Sequence, residues 1–124
     1  MATVEMTQHN FDALVDGNDT VFIDFWASWC GPCKTFGPIF EKVSEQFPNV
    51  VFAKVNTDQE QDLASHFHIQ SIPTLMIFRE KIIIFSQPGL IPESALTDLV
   101  NKVLELDMAA IKKEVAEQQK NRKN

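Results

Sequence analysis

The chain has 124 residues, of which 44% are hydrophobic, 23% charged and 10% aromatic. These proportions are typical of one globular domain and exclude a disordered or fibrous chain. Eleven Lys and Arg residues stand against seventeen Asp and Glu residues, so the formal net charge is −6. A nucleic acid is therefore not an expected partner, because phosphate binding needs a basic surface. The two cysteines can form only one disulfide, which excludes a disulfide-rich scaffold.

The apolar runs are too short to cross a membrane. Leu75–Phe78 and Ile82–Phe85 have four residues each, whereas a spanning helix needs about 20. The first residues have neither a basic region nor a long apolar stretch, so no secretory signal is expected. We therefore expect a cytoplasmic protein without a membrane partner.

Hydrophobic periodicity and the positions of Gly and Pro predict a fold of the α/β class. Strands alternate with helices and the last two strands lie close enough for a hairpin, so the predicted order is βαβαβαββα. This order gives a mixed central sheet with helices on both faces and an extended C-terminal helix. After the first strand of this order, the predicted elements are a short helix that Thr7 caps and that ends near Gly17, a strand over 21–27, a helix over 32–47 that Pro38 kinks, a strand over 50–55, a helix over 59–67, strands over 74–78 and 82–85, and a long helix that Pro92 opens.

The charge distribution divides the chain into a domain over 1–106 and a C-terminal helical extension over 107–124. The first part has a net charge of −8, whereas the extension has five basic and three acidic residues and a net charge of +2. The extension either folds back on the domain or frays at Gln118–Asn124, or it binds a partner helix or a second copy of the chain. Apolar residues continue into it in a 4-3-4 pattern that is short for a coiled coil, at Leu104, Met108, Ile111 and Val115.

The strongest chemical signal is Cys30-Gly31-Pro32-Cys33, at the junction of a buried strand and a helix. Cys30 is expected at the helix N-terminus, where unpaired N–H groups and the helix dipole favour a nucleophilic thiolate. Cys33 follows one turn later, so the pair can open and close a disulfide. We expect Cys30 to be the exposed attacking thiol and Cys33 the shielded resolving thiol. The uncharged Gly31 and Pro32 favour a reducing poise.

A Cys-x-x-Cys pair by itself leaves alternatives open. Half of a structural zinc site has the same spacing, but such a site needs four ligands, and only His9, His66 and His68 could complete it. Two core cysteines that happen to lie three residues apart would also fit. We expect no bound metal.

The segment from Asp24 to Lys34, Asp-Phe-Trp-Ala-Ser-Trp-Cys-Gly-Pro-Cys-Lys, closely resembles the active-site stretch of the thioredoxin family. The resemblance covers about residues 3–106 and continues in register at Pro38, Lys54–Asp58, Ile72–Thr74 and Gly89. It implies the thioredoxin fold and a protein-disulfide reductase. It also implies that no cofactor is bound besides the redox-active disulfide of Cys30 and Cys33. NADPH would be used indirectly, through a thioredoxin reductase, and the partners would be that reductase and disulfide-containing proteins.

Two charged residues interrupt the apolar strands. Asp24 shares a strand face with Phe22 and Trp26, so we expect it to be buried with a raised pKa; an edge aspartate turned to water is the alternative. The resemblance implies that Asp24 helps to deprotonate Cys33. Lys54 is the expected charge neighbour of Asp24, although a surface lysine on a short strand would show the same pattern. Trp26 is assigned to packing.

The resemblance further implies a cis peptide bond between Ile72 and Pro73 that faces the cysteines. Such a turn would present the backbone N–H and C=O of Ile72 to an extended peptide, in the manner of strand addition. Trp29 could equally belong to the core, but its position next to Cys30 favours docking. The residues expected to bind substrate are Trp29, Gly31, Pro32, Ile72, Pro73 and Gly89.

Two features of the domain depart from the family pattern. The hairpin over 79–81 lacks the Asn, Asp or Gly that turns with positive φ prefer, so we expect a looser turn there. Pro88 precedes Gly89 where an apolar non-proline residue is common. It removes a backbone donor beside the docking surface and could change which peptides bind.

The leading hypothesis is a thiol–disulfide oxidoreductase that reduces protein disulfides. An oxidase or isomerase of exported proteins is one alternative, which the Gly-Pro pair and the absence of a signal disfavour. The other is an interaction module of the same fold, whose helical tail docks to a partner and whose redox centre is incidental.

Overall fold

A computed structural model describes residues 2–122 of the chain and the side chains up to residue 120. Residues 123 and 124 of the predicted extension lie outside the described range. The elements within that range are β1 (Thr3–Glu5), α1 (Phe11–Asp16), β2 (Thr20–Trp26), α2 (Gly31–Ser44), β3 (Val51–Asn56), α3 (Gln61–His66), β4 (Thr74–Arg79), β5 (Ile82–Pro88), α4 (Glu93–Leu104) and α5 (Met108–Arg122).

The strands form one mixed sheet in the order β1-β3-β2-β4-β5. β1, β3 and β2 run parallel, whereas β4 is antiparallel to β2 and β5 is antiparallel to β4. β2 lies at the centre and is buried from Thr20 to Phe25, as its nearly continuous apolar sequence predicts. The predicted order βαβαβαββα is confirmed, with α5 as an additional element.

Helices cover both faces of the sheet, as predicted, and divide the core in two. Alternate residues of β2 point to opposite faces, because the side chains of a strand alternate. Phe22 joins the core under α2 and α4, whereas Ile23 and Phe25 join the other core with residues of α1 and α3. Asp24 therefore lies on the α2 side of the central strand.

The first helix begins later than the sequence indicated. α1 starts at Phe11 after Asn10, so the predicted cap at Thr7 is wrong. Thr7 instead forms a turn, in which its N–H donates to Asn10 Oδ1 at 2.7 Å and its hydroxyl accepts the His9 N–H at 3.2 Å. A Thr side chain serves a turn as well as a helix end, which is why the pattern was ambiguous.

The turn between β4 and β5 is tight, so the expectation of a looser turn is wrong. Only Glu80 and Lys81 join the strands, with φ values of 49° and 70° in the left-handed region. Such a conformation costs a residue with a Cβ about 1–2 kcal/mol. Tertiary contacts offset this cost, because the Glu80 N–H donates to Asp19 O at 2.7 Å and the Glu80 carboxylate pairs with Lys112 Nζ at 2.6 Å.

The C-terminal helix is present, but residues 105–107 interrupt it. α4 ends at Leu104, where Arg79 Nη1 donates to Val103 O at 2.6 Å, and Asp107 Oδ1 accepts the Ala110 N–H at the start of α5. Met108 is only 6% exposed, and Lys112 reaches the hairpin turn. The first turns of the extension therefore fold back on the domain. Binding of a partner by the rest of α5 stays a prediction.

Replacement of Lys81 by Gly should stabilise the protein, because Gly adopts positive φ without a steric penalty. We expect Lys81→Gly to raise the free energy of unfolding by about 0.5–1 kcal/mol, after the entropy cost of Gly in the unfolded chain. Urea denaturation measures the change. Lys81→Ala is the matched control: it removes the same side chain but keeps the Cβ, so it should bring no gain. Equal changes in the free energy of unfolding for the two substitutions would show that the positive φ of Lys81 is not strained.

Candidate active site

The two cysteines lie where the central strand passes into a helix. The chain leaves β2 at Trp26, and Cys30 forms the N-cap of α2 with an extended backbone. Pro32 is accommodated in the first helical turn, because N–H groups there have no partner within the helix. Cys30 and Cys33 form a disulfide with their Cα atoms 5.2 Å apart. The Cys33 N–H donates to Cys30 Sγ at 3.2 Å, so the start of the helix stabilises negative charge on that sulfur.

The expected contrast in exposure between the cysteines is absent from this disulfide form. Cys30 is 5% exposed and Cys33 is 4% exposed, so the prediction of an exposed Cys30 is wrong for this state. Ile72 and Trp26 pack against the buried cluster that Ala27 and the two cysteines form. The surroundings still differ, because Cys33 lines a cleft beside α2 and Cys30 caps the helix.

The loop before β4 approaches the cysteines through a cis peptide bond between Ile72 and Pro73, as predicted. The carbonyl oxygen of Ile72 lies 3.7 Å from Cys30 Sγ. The Gly89 N–H donates to Pro73 O at 2.8 Å, which fixes this loop to the end of β5. Gly89 has φ of +100°, a conformation that residues with a Cβ rarely adopt. The loop therefore holds the Ile72 backbone at the disulfide.

The surface near the disulfide includes an exposed aromatic side chain. Trp29 is 68% exposed, so its alternative assignment to the core is wrong. The Trp29 indole N–H donates to the Asp58 carboxylate at 3.0 Å, which orients the ring at the surface. Sequence reasoning did not assign a role to Asp58, although it belongs to the segment that carries the resemblance. Gly31 and Pro32 are also exposed beside Cys30.

Asp24 is completely buried in β2, which excludes the edge aspartate. Neither of its carboxylate oxygens has a hydrogen-bond partner among the described residues. Burial raises the pKa of Asp24 to about 7, and the positive charge of Lys54 partly opposes the rise. Lys54 lies opposite Asp24 in the pairing of β2 with β3, which confirms that it is the charge neighbour.

Lys54 is half-buried rather than a free surface lysine. Its ammonium lies 5.0 Å from the centroid of the Trp26 ring, and it lines a cleft of about 480 Å³ together with Cys33. Glu41 lies in the wall of the same cleft. The Thr3 hydroxyl, helped by the backbone N–H groups of Ala2 and Thr3, holds the pKa of Glu41 below its ordinary value. No local pattern could have identified Glu41, since a contact with β1 fixes it.

Other kinds of site have no support in the described part of the chain. Across residues 2–122, no group of three or more His, Cys, Asp or Glu side chains is placed to hold a metal ion. None of the helices in this range combines the length and apolar character that crossing a membrane requires.

The geometry serves disulfide exchange, because Cys30 and Cys33 can be joined or separated by a small motion at the start of one helix. The protein is a thiol–disulfide oxidoreductase. The family model described as "Thioredoxin" matches residues 2–102. The chain therefore belongs to the thioredoxin family. Its sheet and helices form the thioredoxin fold, and the protein has protein-disulfide reductase activity.

Individual relatives agree with this assignment over most of the chain. A protein of Streptomyces coelicolor named "Putative thioredoxin 2" is 55% identical over 118 residues, which are 95% of this chain and 88% of that protein. A thioredoxin of Mycoplasmoides gallisepticum is 40% identical over 72% of this chain and 89% of its own length. A solved mutant thioredoxin from Halobacterium salinarum is 36% identical and superposes with a TM-score of 0.76. The superposition covers 84% of this chain and 91% of that one.

Substitution of Asp24 by Asn should stabilise the protein in a pH-dependent manner. In the unfolded chain the pKa of Asp24 is near 3.8, whereas in the folded protein it is about 7, so the folded state binds the additional proton between these values. Wild-type stability should therefore fall as pH rises from about 4 to 7. The free energy of unfolding of Asp24→Asn should not fall in this way. Between pH 4 and 8 it should come to exceed that of wild type by up to about 4 kcal/mol.

Urea denaturation of the oxidised protein at several pH values measures this gap. Asp98→Asn is the control, because it removes the same charge from an exposed position of α4. Its curve should follow that of wild type. A gap for Asp24→Asn that does not change with pH would show that the buried carboxyl does not titrate as stated.

Proposed function

We propose that this protein reduces disulfides of other proteins, with Cys30 as the attacking thiol and Cys33 as the resolving thiol. The observation that carries the assignment is the N–H of Cys33, which donates to Cys30 Sγ at the N-cap of α2. In the reduced protein this donor and the helix dipole favour the Cys30 thiolate over the thiol. Cys33 lies inside the helix, so its sulfur is not at the helix N-terminus, where the thiolate is favoured.

In the first step, the Cys30 thiolate attacks one sulfur of a substrate disulfide. A bond forms between Cys30 and that sulfur, the substrate S–S bond breaks, and the second substrate sulfur leaves as a thiolate that takes a proton from water. The product is a mixed disulfide between Cys30 and the substrate.

In the second step, Cys33 attacks Cys30 Sγ. The Cys33 thiol first loses its proton, for which we propose Asp24 as the acceptor, because a carboxyl with a pKa near 7 can take a proton at neutral pH. The new S–S bond joins Cys30 and Cys33, the mixed disulfide breaks, and the substrate leaves with both sulfurs reduced. The disulfide of the present structure is the product state.

We propose that the substrate binds as an extended segment across the cis-proline loop. The backbone of Ile72 lies at the disulfide, and a substrate strand can pair with it with little demand on sequence. Trp29, Pro32 and Gly89 are exposed and would contact the side chains of this segment. Pro88 offers no N–H at the same edge, so it would disfavour substrates that need a donor there.

Two electrons and two protons must return to the closed disulfide in each cycle. We propose NADPH as their source, through a thioredoxin reductase, because membership of the family supports this partner. The uncharged Gly31-Pro32 pair supports a reducing poise over an oxidase or isomerase. That poise suits the cytoplasm, where thiols are kept reduced.

The roles of the cysteines can be separated with two matched substitutions. In a reductase-coupled assay of NADPH oxidation with insulin, Cys30→Ser and Cys33→Ser should both lose essentially all turnover, since each lacks one of the two sulfurs. Only Cys33→Ser should accumulate a mixed disulfide with the substrate, detected by non-reducing electrophoresis and mass spectrometry. Activity of Cys30→Ser equal to wild type, or trapping by Cys30→Ser alone, would show that the assignment is wrong.

We propose that the extension stabilises the domain and is not needed for reduction. A chain that ends at Glu105 loses the buried Met108 and the Lys112–Glu80 pair. Its free energy of unfolding should be about 2 kcal/mol lower than that of the full chain, mostly because the burial of Met108 is lost. Its turnover of insulin should stay unchanged. Urea denaturation and the coupled assay measure the two quantities.

A chain that ends at Val115 is the control, because it keeps both contacts and should match the full chain in stability. Size-exclusion chromatography tests the alternative of a tail that binds a partner helix or a second copy. A complex that dissolves on truncation while activity persists would favour the interaction module.

A further inference from the structure

We propose that Trp26 is a positioning residue for the second half of the reaction: its indole face holds the Lys54 ammonium beside Asp24 while Cys33 attacks. The sequence assigned Trp26 to packing alone. This inference deepens the proposed function and rests on the role given there to Asp24.

Register places the three side chains on one face of the sheet. Asp24 and Trp26 are two residues apart on β2, so they point to the same side, and Lys54 lies opposite Asp24 on β3. The Lys54 ammonium is 5.0 Å from the centroid of the Trp26 ring. A cation within about 6 Å of an aromatic face is attracted by the ring quadrupole, and more strongly where water is excluded.

The helix α2 also lies close to the ammonium. A Cβ on Gly37 would lie 3.5 Å from Lys54 Nζ, so the backbone of α2 approaches the charge at Gly37. Trp26 and Lys54 line two clefts at once, one with Cys33, Lys34 and Glu41, and one with Glu5 of β1. Without the aromatic face, the flexible lysine is free to move towards Glu5 and solvent.

The position of this charge matters because it acts on Asp24. Burial raises the pKa of Asp24, and the Lys54 charge opposes that rise. The other charged groups around the clefts are Lys34 and Glu41 of α2 and Glu5 of β1. Displacement of the ammonium towards Glu5 weakens its field at Asp24. The pKa of Asp24 then rises further, and a smaller fraction of carboxylate is present at neutral pH to accept the Cys33 proton.

Two substitutions of similar size isolate the aromatic face. Trp26→Phe and Trp26→Leu both remove the indole N–H, which has no acceptor among the described residues, but only Phe keeps a π surface. In the oxidised protein, carbon NMR of the Asp24 carboxyl should give a pKa about 0.5 higher in Trp26→Leu than in Trp26→Phe. The two variants are compared with each other rather than with wild type. Both leave space for water where the indole was, so the effect of that water on the Asp24 pKa cancels. Trp26→Met replaces Trp26→Leu if the latter does not fold.

Trp26→Phe and Trp26→Leu in a Lys54→Met background complete a double-mutant cycle. In that background the two variants should have the same Asp24 pKa, because the cation is gone. A pKa that is equal or lower in Trp26→Leu, or a difference that persists without Lys54, would overturn the proposal. A purely structural role of Trp26 predicts one of these two results.

Kinetics give a second measure. The pH midpoint for release of reduced substrate from the mixed disulfide should be higher in Trp26→Leu than in Trp26→Phe, by the same amount as the Asp24 pKa. An unshifted midpoint despite a shifted pKa would overturn the role in catalysis. The titration involves no turnover, so failure of the proposed reductase function would appear in the insulin assay and not in the NMR result.

Discussion

The junction between β2 and α2 is the constraint on which the rest of the site depends. The central strand is buried from Thr20 to Phe25, which anchors it in the core, and the helix that follows begins one residue after Cys30. The sulfur of Cys30 thus lies at a fixed helix N-terminus, with the Cys33 N–H as its donor. The cis-proline loop brings the Ile72 carbonyl oxygen to 3.7 Å from this sulfur, and the hydrogen bond from the Gly89 N–H to Pro73 O holds the loop there. The contacts described at Cys30 Sγ are thus made by backbone groups of Cys33 and Ile72.

The same strand carries a group that lowers stability. A buried carboxylate without a hydrogen-bond partner is unfavourable, and the fold tolerates it because Phe22 and its neighbours supply a large apolar core on the same face. Functional sites often retain such costs. The cleft beside α2 makes the arrangement useful, since it brings Cys33 and Lys54 to one wall. A carboxyl whose pKa is raised to about 7 and the sulfur of Cys33 thus lie on the same side of the sheet.

The first turns of the C-terminal extension contact an earlier part of the chain. Lys112 pairs with Glu80 in the hairpin turn between β4 and β5, and Met108 at the start of α5 is buried. This contact explains how a turn without Gly adopts a left-handed backbone, because interactions from outside the turn compensate for its local strain. From this turn β5 runs to Pro88, and the Gly89 N–H that follows donates to Pro73 O in the cis-proline loop.

Local patterns were sufficient for much of the fold and for the chemistry of the cysteines. The apolar run of β2 predicted a central buried strand, and Cys-Gly-Pro-Cys at a strand–helix junction predicted a redox pair, because both features depend on neighbouring residues. The resemblance supplied the cis bond before Pro73. The start of α1 and the tight turn at Glu80 were predicted wrongly, since a Thr can serve a turn or a cap and Asp19 and Lys112 hold the hairpin from a distance. The equal burial of Cys30 and Cys33 and the place of Lys54 over Trp26 were decided by tertiary structure alone, because each depends on side chains that meet only when distant segments pack together.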